Sequence, residues 1–391
     1  MISWTFALGT LALALATTVL PAAARPAAVA VLSLAGLGLL WPVPIMALLA
    51  ASVATWGLGR VLPRLPEKAR ETAAWGAIAV IVAALALLRS GPGSRESLVP
   101  TTAWIGLSYF ALKFAQHLLD AAAGRAAAVD LPSFLATILF LPTYAAGPIE
   151  RTGEFTAKLA GAPLPWPERV LGIERVLVGL GKKLLVGDRL LAFAEPIFAD
   201  PAAASRTSLW LAMYAFAIAL YLDFAGYSDI AIGAGRIAGL GIRENFDSPY
   251  LQPNLTQLWQ HWHMSLTSWL RDYVFVPVAR RTLKATRRPL LSQGVAQTVT
   301  MVACGLWHGF AWNFVAWGLW HAALLTGLAA WRARSGPARP ASPAAARRDR
   351  ILGALASFHA FAFGLLLFGC SVRGALRFGL RMFGLDAPFA P

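Results

Sequence analysis

Runs of about twenty residues without a charge recur along this chain, and each is long enough to cross the hydrocarbon core of a bilayer. That feature removes most folds at once. In lipid every backbone N–H and C=O must find its partner inside the protein, so only helices and closed barrels span. Barrel strands alternate apolar and polar residues, whereas the runs here are continuously apolar. The expected fold is therefore all-α: a polytopic bundle of about 10–12 membrane helices around a funnel or tunnel, with interfacial and re-entrant helices. Composition agrees, with 58% of the 391 residues hydrophobic and only 14% charged.

The formal net charge is +15. In a soluble protein that excess would suggest nucleic acid. Here the basic residues collect in short loops between apolar runs, which fits the positive-inside rule and contact with anionic lipid, so nucleic acid is not an expected partner. The two cysteines, Cys304 and Cys370, lie in apolar segments and read as small packing residues. The N-terminal apolar stretch has no Lys or Arg ahead of it, unlike a signal peptide, and is expected to be a retained first helix.

The expected membrane helices cover roughly 2–20, two helices within 27–59 divided by the WPVP turn at 41–44, then 72–88, 101–120, 131–147, 207–240, 293–310, 313–331 and 351–370. The stretch 168–200 carries five basic residues and reads as partly interfacial. Three basic tracts, Arg60–Arg70, Arg280–Arg288 and the six-arginine tract 332–350, are expected in the cytoplasm, which puts the N-terminus outside. Arg373, Arg377 and Arg381 recur every four residues, as in an amphipathic interfacial helix. No internal repeat is visible, so an inverted-repeat transporter lacks support.

Polar side chains inside apolar segments are costly in lipid and are the first functional candidates. In 140–155, Pro142, Gly147 and Pro148 precede Glu150, Arg151 and Glu154, and both a re-entrant segment beside a substrate funnel and an ordinary helix end fit that pattern. In 221–246, Asp223 and Asp229 interrupt an apolar helix. Asp229 shares a face with Arg236, and Gly226 and Gly233 permit close helix packing. In 254–277, Trp259, His263, Leu266 and Leu270 fall on one helical face, with Trp262 and Trp269 beside it and Arg271 and Asp272 following. His261 and His263 are about 200° apart around a helix and do not chelate one metal. In 300–327, His308 stands near the end of an apolar helix after Trp307, and His321 lies in the next one beyond Asn313. Cys304 and His308 share a face, which makes a Cys–His nucleophile pair conceivable. No metal cluster is visible. P-loops, HExxH motifs, nucleophile elbows and dinucleotide fingerprints are absent.

Taken in order, AGPIER (146–151), DFAGYSDIAIG (223–233), ENFDSPY (244–250), WQHWHMSLTSWLRDYVF (259–275) and GLWHGFAWNFVAWGLWH (305–321) resemble the membrane-bound O-acyltransferase superfamily. The likeness is closest to its bacterial branch, which includes alginate O-acetyltransferase and the membrane protein of teichoic-acid D-alanylation. The resemblance implies an acyl thioester entering from the cytoplasm, with the family's invariant histidine at His308 and its second histidine at His263. Gln260 and His261 stand where many members carry Arg or Asn, and Cys304-Gly305 stands where many carry Gly-Gly. It divides the chain into N-terminal membrane helices (1–130), a catalytic core (131–331), a basic flexible loop (332–350) and a C-terminal helix with an interfacial tail (351–391).

The chemistry matches that implication. An alcohol is a poor nucleophile at neutral pH, so moving an acyl group onto it needs a base, worth roughly 10²–10⁴-fold, together with a donor for the developing oxyanion. His308 is the expected base, and His263 the expected oxyanion or acceptor contact. Glu150, Arg151, Asp223, Asp229, Trp259, Trp262, Arg271, Asp272, Trp307, Asn313 and His321 are the expected funnel residues. No permanently bound cofactor is expected. The donor is acyl-CoA or an acyl-phosphopantetheine carrier, and the other expected partners are membrane lipid and a periplasmic acyl-transfer protein. The expected setting is the inner membrane, and the expected acceptor a cell-envelope or exported polysaccharide. Two alternatives stay open: D-alanyl transfer toward teichoic acid, and a proton-coupled transporter using Asp223, Asp229 and His308.

Overall fold

The computed structural model describes residues 3–40, 44–90, 101–125, 129–335 and 342–385. Among them there are helices and no strands. In chain order the helices are α1 (Trp4–Val19), α2 (Arg25–Leu40), α3 (Pro44–Val61), α4 (Glu67–Ser90), α5 (Thr101–Ala122), α6 (Leu131–Leu139), α7 (Thr152–Ala160), α8 (Trp166–Leu180), α9 (Asp188–Ala199), α10 (Arg206–Ile237), α11 (Leu255–His261), α12 (Met264–Leu270), α13 (Val276–Thr286), α14 (Pro289–His308), α15 (Trp312–Ser335), α16 (Pro343–Gly369) and α17 (Val372–Met382). Wide π turns at Gly181–Gly187 and Arg271–Phe275 join α8 to α9 and α12 to α13. Among the described residues, four segments are long and apolar enough to cross a membrane: Ile45–Arg64, Arg206–Ile237, Trp312–Ser335 and Pro343–Gly369. α1 shows how such helices divide their faces. Leu8, Leu11, Leu15 and Val19, three or four residues apart, point outward, while Phe6, Thr10, Leu13 and Thr17 are buried.

Several boundaries move from their expected places. The helix expected over 131–147 stops at Leu139, and 140–151 is a short turn of 3₁₀ helix followed by irregular chain. Pro142 removes a backbone donor there, and Gly147 lies so close to Thr143 that a Cβ would sit 2.5 Å from its Cα. The arginine tract 332–350 is not a loop throughout, because α15 runs to Ser335 and α16 starts at Pro343. Residues 336–341 of that tract, and 41–43 of the WPVP turn, lie outside the described residues.

The chain forms two compact units, neither continuous in sequence. The first comprises Met1–Leu180 and Gly226–Glu244. Its core is built from Leu13, Leu37, Phe110, Phe134, Phe140, Leu141 and Phe155. The Leu141 side chain fills the space left by Gly9 and Gly36, and the Leu141 amide donates to Ser33 Oγ at 3.2 Å. In this unit α8 packs backbone-to-backbone on the second half of α10. A Cβ on Gly172 would lie 2.7 Å from Gly233 O, and one on Gly179 would lie 2.6 Å from Gly226 O. Both glycine pairs are seven residues apart, two helical turns, so they line one seam. The close packing expected of Gly226 and Gly233 is therefore present.

The second unit comprises Gly181–Ala225 and Asn245–Pro391. Its centre is the α14–α15 hairpin. A Cβ on Gly318 would lie 2.5 Å from Met301 O, and Gly305 abuts the Phe314 carbonyl still more closely. α16 is pinned to α15 by the Trp320 Nε1 bond to Ala360 O (2.9 Å) and the Asn313 Nδ2 bond to Leu367 O (3.2 Å). The amphipathic helix expected around Arg373, Arg377 and Arg381 is α17, whose Ala375, Phe378 and Met382 are buried.

Candidate active site

His308 is the last residue of α14, and Gly309 opens the turn into α15. The glycine-tight hairpin holds the ring against aromatic side chains, with ring centres of Trp307 at 4.7 Å, Phe368 at 4.9 Å, Trp317 at 5.6 Å and Phe314 at 6.2 Å. His263 arrives by a different device. α11 ends before it and α12 begins after it, and His263 itself has φ = 42°, ψ = 54°, a left-handed backbone. A residue with a Cβ adopts that conformation at a cost of roughly 1–2 kcal/mol. The surrounding chain enforces it. The Met264 amide donates to Asn245 O (2.8 Å), Asn245 Oδ1 accepts from Ser265 Oγ (2.7 Å) and from the Ser265 amide (3.3 Å), and the Asp247 amide donates to His261 O (3.1 Å). Asn245 is fully buried.

Both histidines line one cavity of about 70 Å³ within the second unit, together with Phe224, Trp259, Trp262, Cys304, Trp317 and Phe368. Trp307 is near both rings, 4.7 Å from His308 and 6.2 Å from His263, and Phe224 meets His263 edge-on at 4.5 Å. Trp262 is set by rings on three sides: Phe246 at 5.2 Å, Tyr250 at 5.8 Å and Phe361 at 4.9 Å. Burial pushes the Tyr250 hydroxyl well above its ordinary value, so it stays a neutral donor to Ala217 O at 2.8 Å. Behind the cavity wall His321 is fully buried, 4.9 Å from Trp317 and 5.1 Å from Trp259. Neither ring nitrogen of His321, nor Nε1 of Trp259 or Trp317, has a hydrogen-bond partner among the described residues.

Other expected funnel residues take structural posts. Asn313 braces α16, as described above. Arg271 and Asp272 form a neighbour pair at 2.8 Å in the π turn. Asp223 is ion-paired with Lys183, which also reaches Asp188 at 3.2 Å. In the first unit, Asp229 shares a face with Arg236 two turns along its own helix, and it pairs with Arg175 of α8 at 2.9 Å; the same guanidinium grips Glu244. Burial opposes the charge on Arg175, but its hydrogen bonds and attraction to Glu244 and then Asp229 outweigh that and raise its pKa. Glu150 is buried and held by Lys158 at 2.6 Å and the Arg243 amide at 2.8 Å, while Arg151 stands at the start of α7. His261 bonds back to Gln257 O at 2.8 Å, outside the cavity. Among the described residues no group of three or more His, Cys, Asp or Glu could hold a metal ion. Local reasoning on the sequence missed Asn245 and Phe224. The ENFDSPY stretch signals Asn245, although its partners lie twenty residues further on.

Residues 28–373 match the sequence profile of the MBOAT, membrane-bound O-acyltransferase, family. Among individual proteins, the chain is 34% identical over 222 residues to the probable alginate O-acetylase AlgI of Azotobacter vinelandii, covering 56% of this chain and 42% of that protein. It is 30% identical over 287 residues to the corresponding Pseudomonas fluorescens protein (72% and 56%) and 31% identical over 234 residues to the teichoic acid D-alanyltransferase of Bacillus subtilis (57% and 58%). The matches span about half the length of these relatives.

Proposed function

The chain belongs to the membrane-bound O-acyltransferase family, and from that premise we propose that it moves an acetyl group from a thioester, on CoA or a phosphopantetheine carrier, to a hydroxyl of a cell-envelope or exported polysaccharide at the inner membrane. The observation that carries this reading is that His308, at the end of α14, and His263, in the break between α11 and α12, line a single cavity walled by aromatic side chains. His308 takes the proton of the acceptor hydroxyl as its oxygen bonds to the thioester carbonyl carbon. His263 donates to the oxyanion that forms there. Collapse of that intermediate breaks the C–S bond, and the departing thiolate receives the proton from His308. The aromatic wall keeps water from the thioester.

D-alanyl transfer is the second reading, favoured by the similarity to the Bacillus subtilis D-alanyltransferase. A proton relay through Asp223 and Asp229 is disfavoured, because both carboxylates are held in ion pairs. The test is acyl transfer by membranes carrying His308→Ala and Cys304→Ser, supplied with acetyl-CoA or with an acylated carrier. His308→Ala should insert normally and lose transfer, and Cys304→Ser should keep most of it. Full activity in His308→Ala removes the assignment. A trapped acyl-cysteine at Cys304 replaces direct transfer with a covalent route.

A further inference from the structure

A second cavity of the second unit lies away from the histidines. It measures about 490 Å³, within the range of small-molecule sites, and is lined by Phe198, Asp200, Ala202, Ser371, Arg377 and Arg381 among others. Its walls meet where two spanning helices end: α16 stops at Gly369, and α10 starts at Arg206, just past the Asp200–Ala202 turn. It therefore lies at the ends of two helices that are long and apolar enough to cross a membrane.

The cavity's chemistry is sharply divided. Arg377 and Arg381 are one turn apart on α17, and both are half-buried. The adjoining face of α17 is fastened down: Phe378 is fully buried and meets Phe198 at 4.9 Å, and Trp210 Nε1 bonds to Met382 O at 3.1 Å. Arg381 is further fixed by donating to Ala202 O at 2.7 Å. Among the described residues the lining holds one carboxylate, Asp200, which accepts from the Ala202 amide at 3.1 Å in its own turn. At the other end Ser371 Oγ caps α17 by accepting from the Gly374 amide at 3.1 Å. Two guanidinium groups on a fixed helix face, beside the apolar side chains of Phe198 and Ala199, form a lining with a planar cationic end and a greasy end.

We infer that this cavity binds the phosphate of an anionic phospholipid headgroup, with Arg377 and Arg381 as the phosphate ligands and the Phe198 wall against the glycerol and upper acyl chain. The site is separate from acyl transfer and does not depend on the reading above.

The test is native mass spectrometry of the full chain released from detergent, titrated with phosphatidylglycerol or phosphatidylcholine, together with thermal unfolding in nanodiscs of each lipid. Wild type should retain phosphatidylglycerol in preference to phosphatidylcholine and unfold at a higher temperature in its presence. Arg377→Gln should weaken that retention about tenfold or more, the worth of a charge-assisted hydrogen-bond pair. Arg377→Lys, which keeps the charge but not the fork, should recover only part. Arg373→Gln, an exposed arginine of the same helix outside the lining, should change nothing. Because Arg381 also holds the Ala202 turn, Arg377 carries the decisive comparison. Unchanged lipid retention in Arg377→Gln overturns the site, as does an equal loss in Arg373→Gln, which would mark a diffuse surface charge. Stabilisation by millimolar inorganic phosphate, dependent on Arg377 and without lipid preference, overturns the lipid assignment in favour of a free phosphate.

Discussion

Replacing His263 by glycine should leave a more stable protein than replacing it by alanine. Both substitutions delete the same imidazole and its contacts with Phe224 and Trp307, so those losses cancel in the comparison. What differs is the backbone. At φ = 42° and ψ = 54° alanine keeps the clash of Cβ with the carbonyl, roughly 1–2 kcal/mol, and glycine has none. Glycine returns part of that through its greater freedom in the unfolded chain, roughly 0.5–1 kcal/mol. Taking the middle of both ranges, His263→Gly should exceed His263→Ala by about 0.75 kcal/mol, the reverse of the usual order inside a helix. Unfolding of both variants in matched nanodiscs, by heat or by denaturant, measures it, and acyl transfer should be lost in both. If alanine proves equal to or better than glycine, the chain at 263 is a continuous right-handed helix. The clamp from Asn245 would then have no strain to hold.

Three further outcomes follow from the same geometry. Asn245→Ala strands two Ser265 donors in a buried place, so it should cost about 2–4 kcal/mol and impair transfer by loosening the placement of His263, read by unfolding and by rate on the same sample. Gly318→Ala drives a methyl to 2.5 Å from Met301 O and should destabilise the α14–α15 hairpin by about 1–3 kcal/mol, with reduced yield of folded protein in detergent as the measure. His321→Leu removes an imidazole without hydrogen-bond partners among the described residues, so its stability should equal or exceed wild type, and a fall in melting temperature would show that the ring has a partner such as a buried water.

Much of the fold is legible in the sequence, because helix period and apolar length are local properties. The helices α1 to α3, α14 and α15 fall near the ends that their proline, glycine and charge signals suggest, whereas α16 begins inside the arginine tract. The site was legible as a set of residues and illegible as an arrangement. Trp259, His263, Leu266 and Leu270 share a face only if the helix is continuous, and it breaks at Trp262–His263. Trp259 and His263 nonetheless reach one cavity, because the left-handed residue re-aims the chain. The break is specified by Asn245, and a window confined to one helix cannot see a partner twenty positions upstream. The same limit applies to Asp229, whose partner Arg175 lies on another helix 54 residues earlier. Periodicity ranks faces within a helix but does not say which faces meet.

The helix α10 has a consequence for biogenesis. Its residues up to Ala225 belong to one unit, and those from Gly226 belong to the other. A ribosome that has reached residue 180 has made Gly172, Gly179 and Arg175, but neither the glycines they pack on nor the carboxylates that neutralise the arginine. The seam gains its second glycine at residue 233 and its last carboxylate at residue 244, and by then residues 181–225 of the second unit have been made, ahead of everything from 245 on. The two units are thus interleaved in time: each is begun before the other is finished. An arrest between 180 and 226 would leave a cation and a bare glycine groove exposed, marks by which membrane quality control could recognise an unfinished chain.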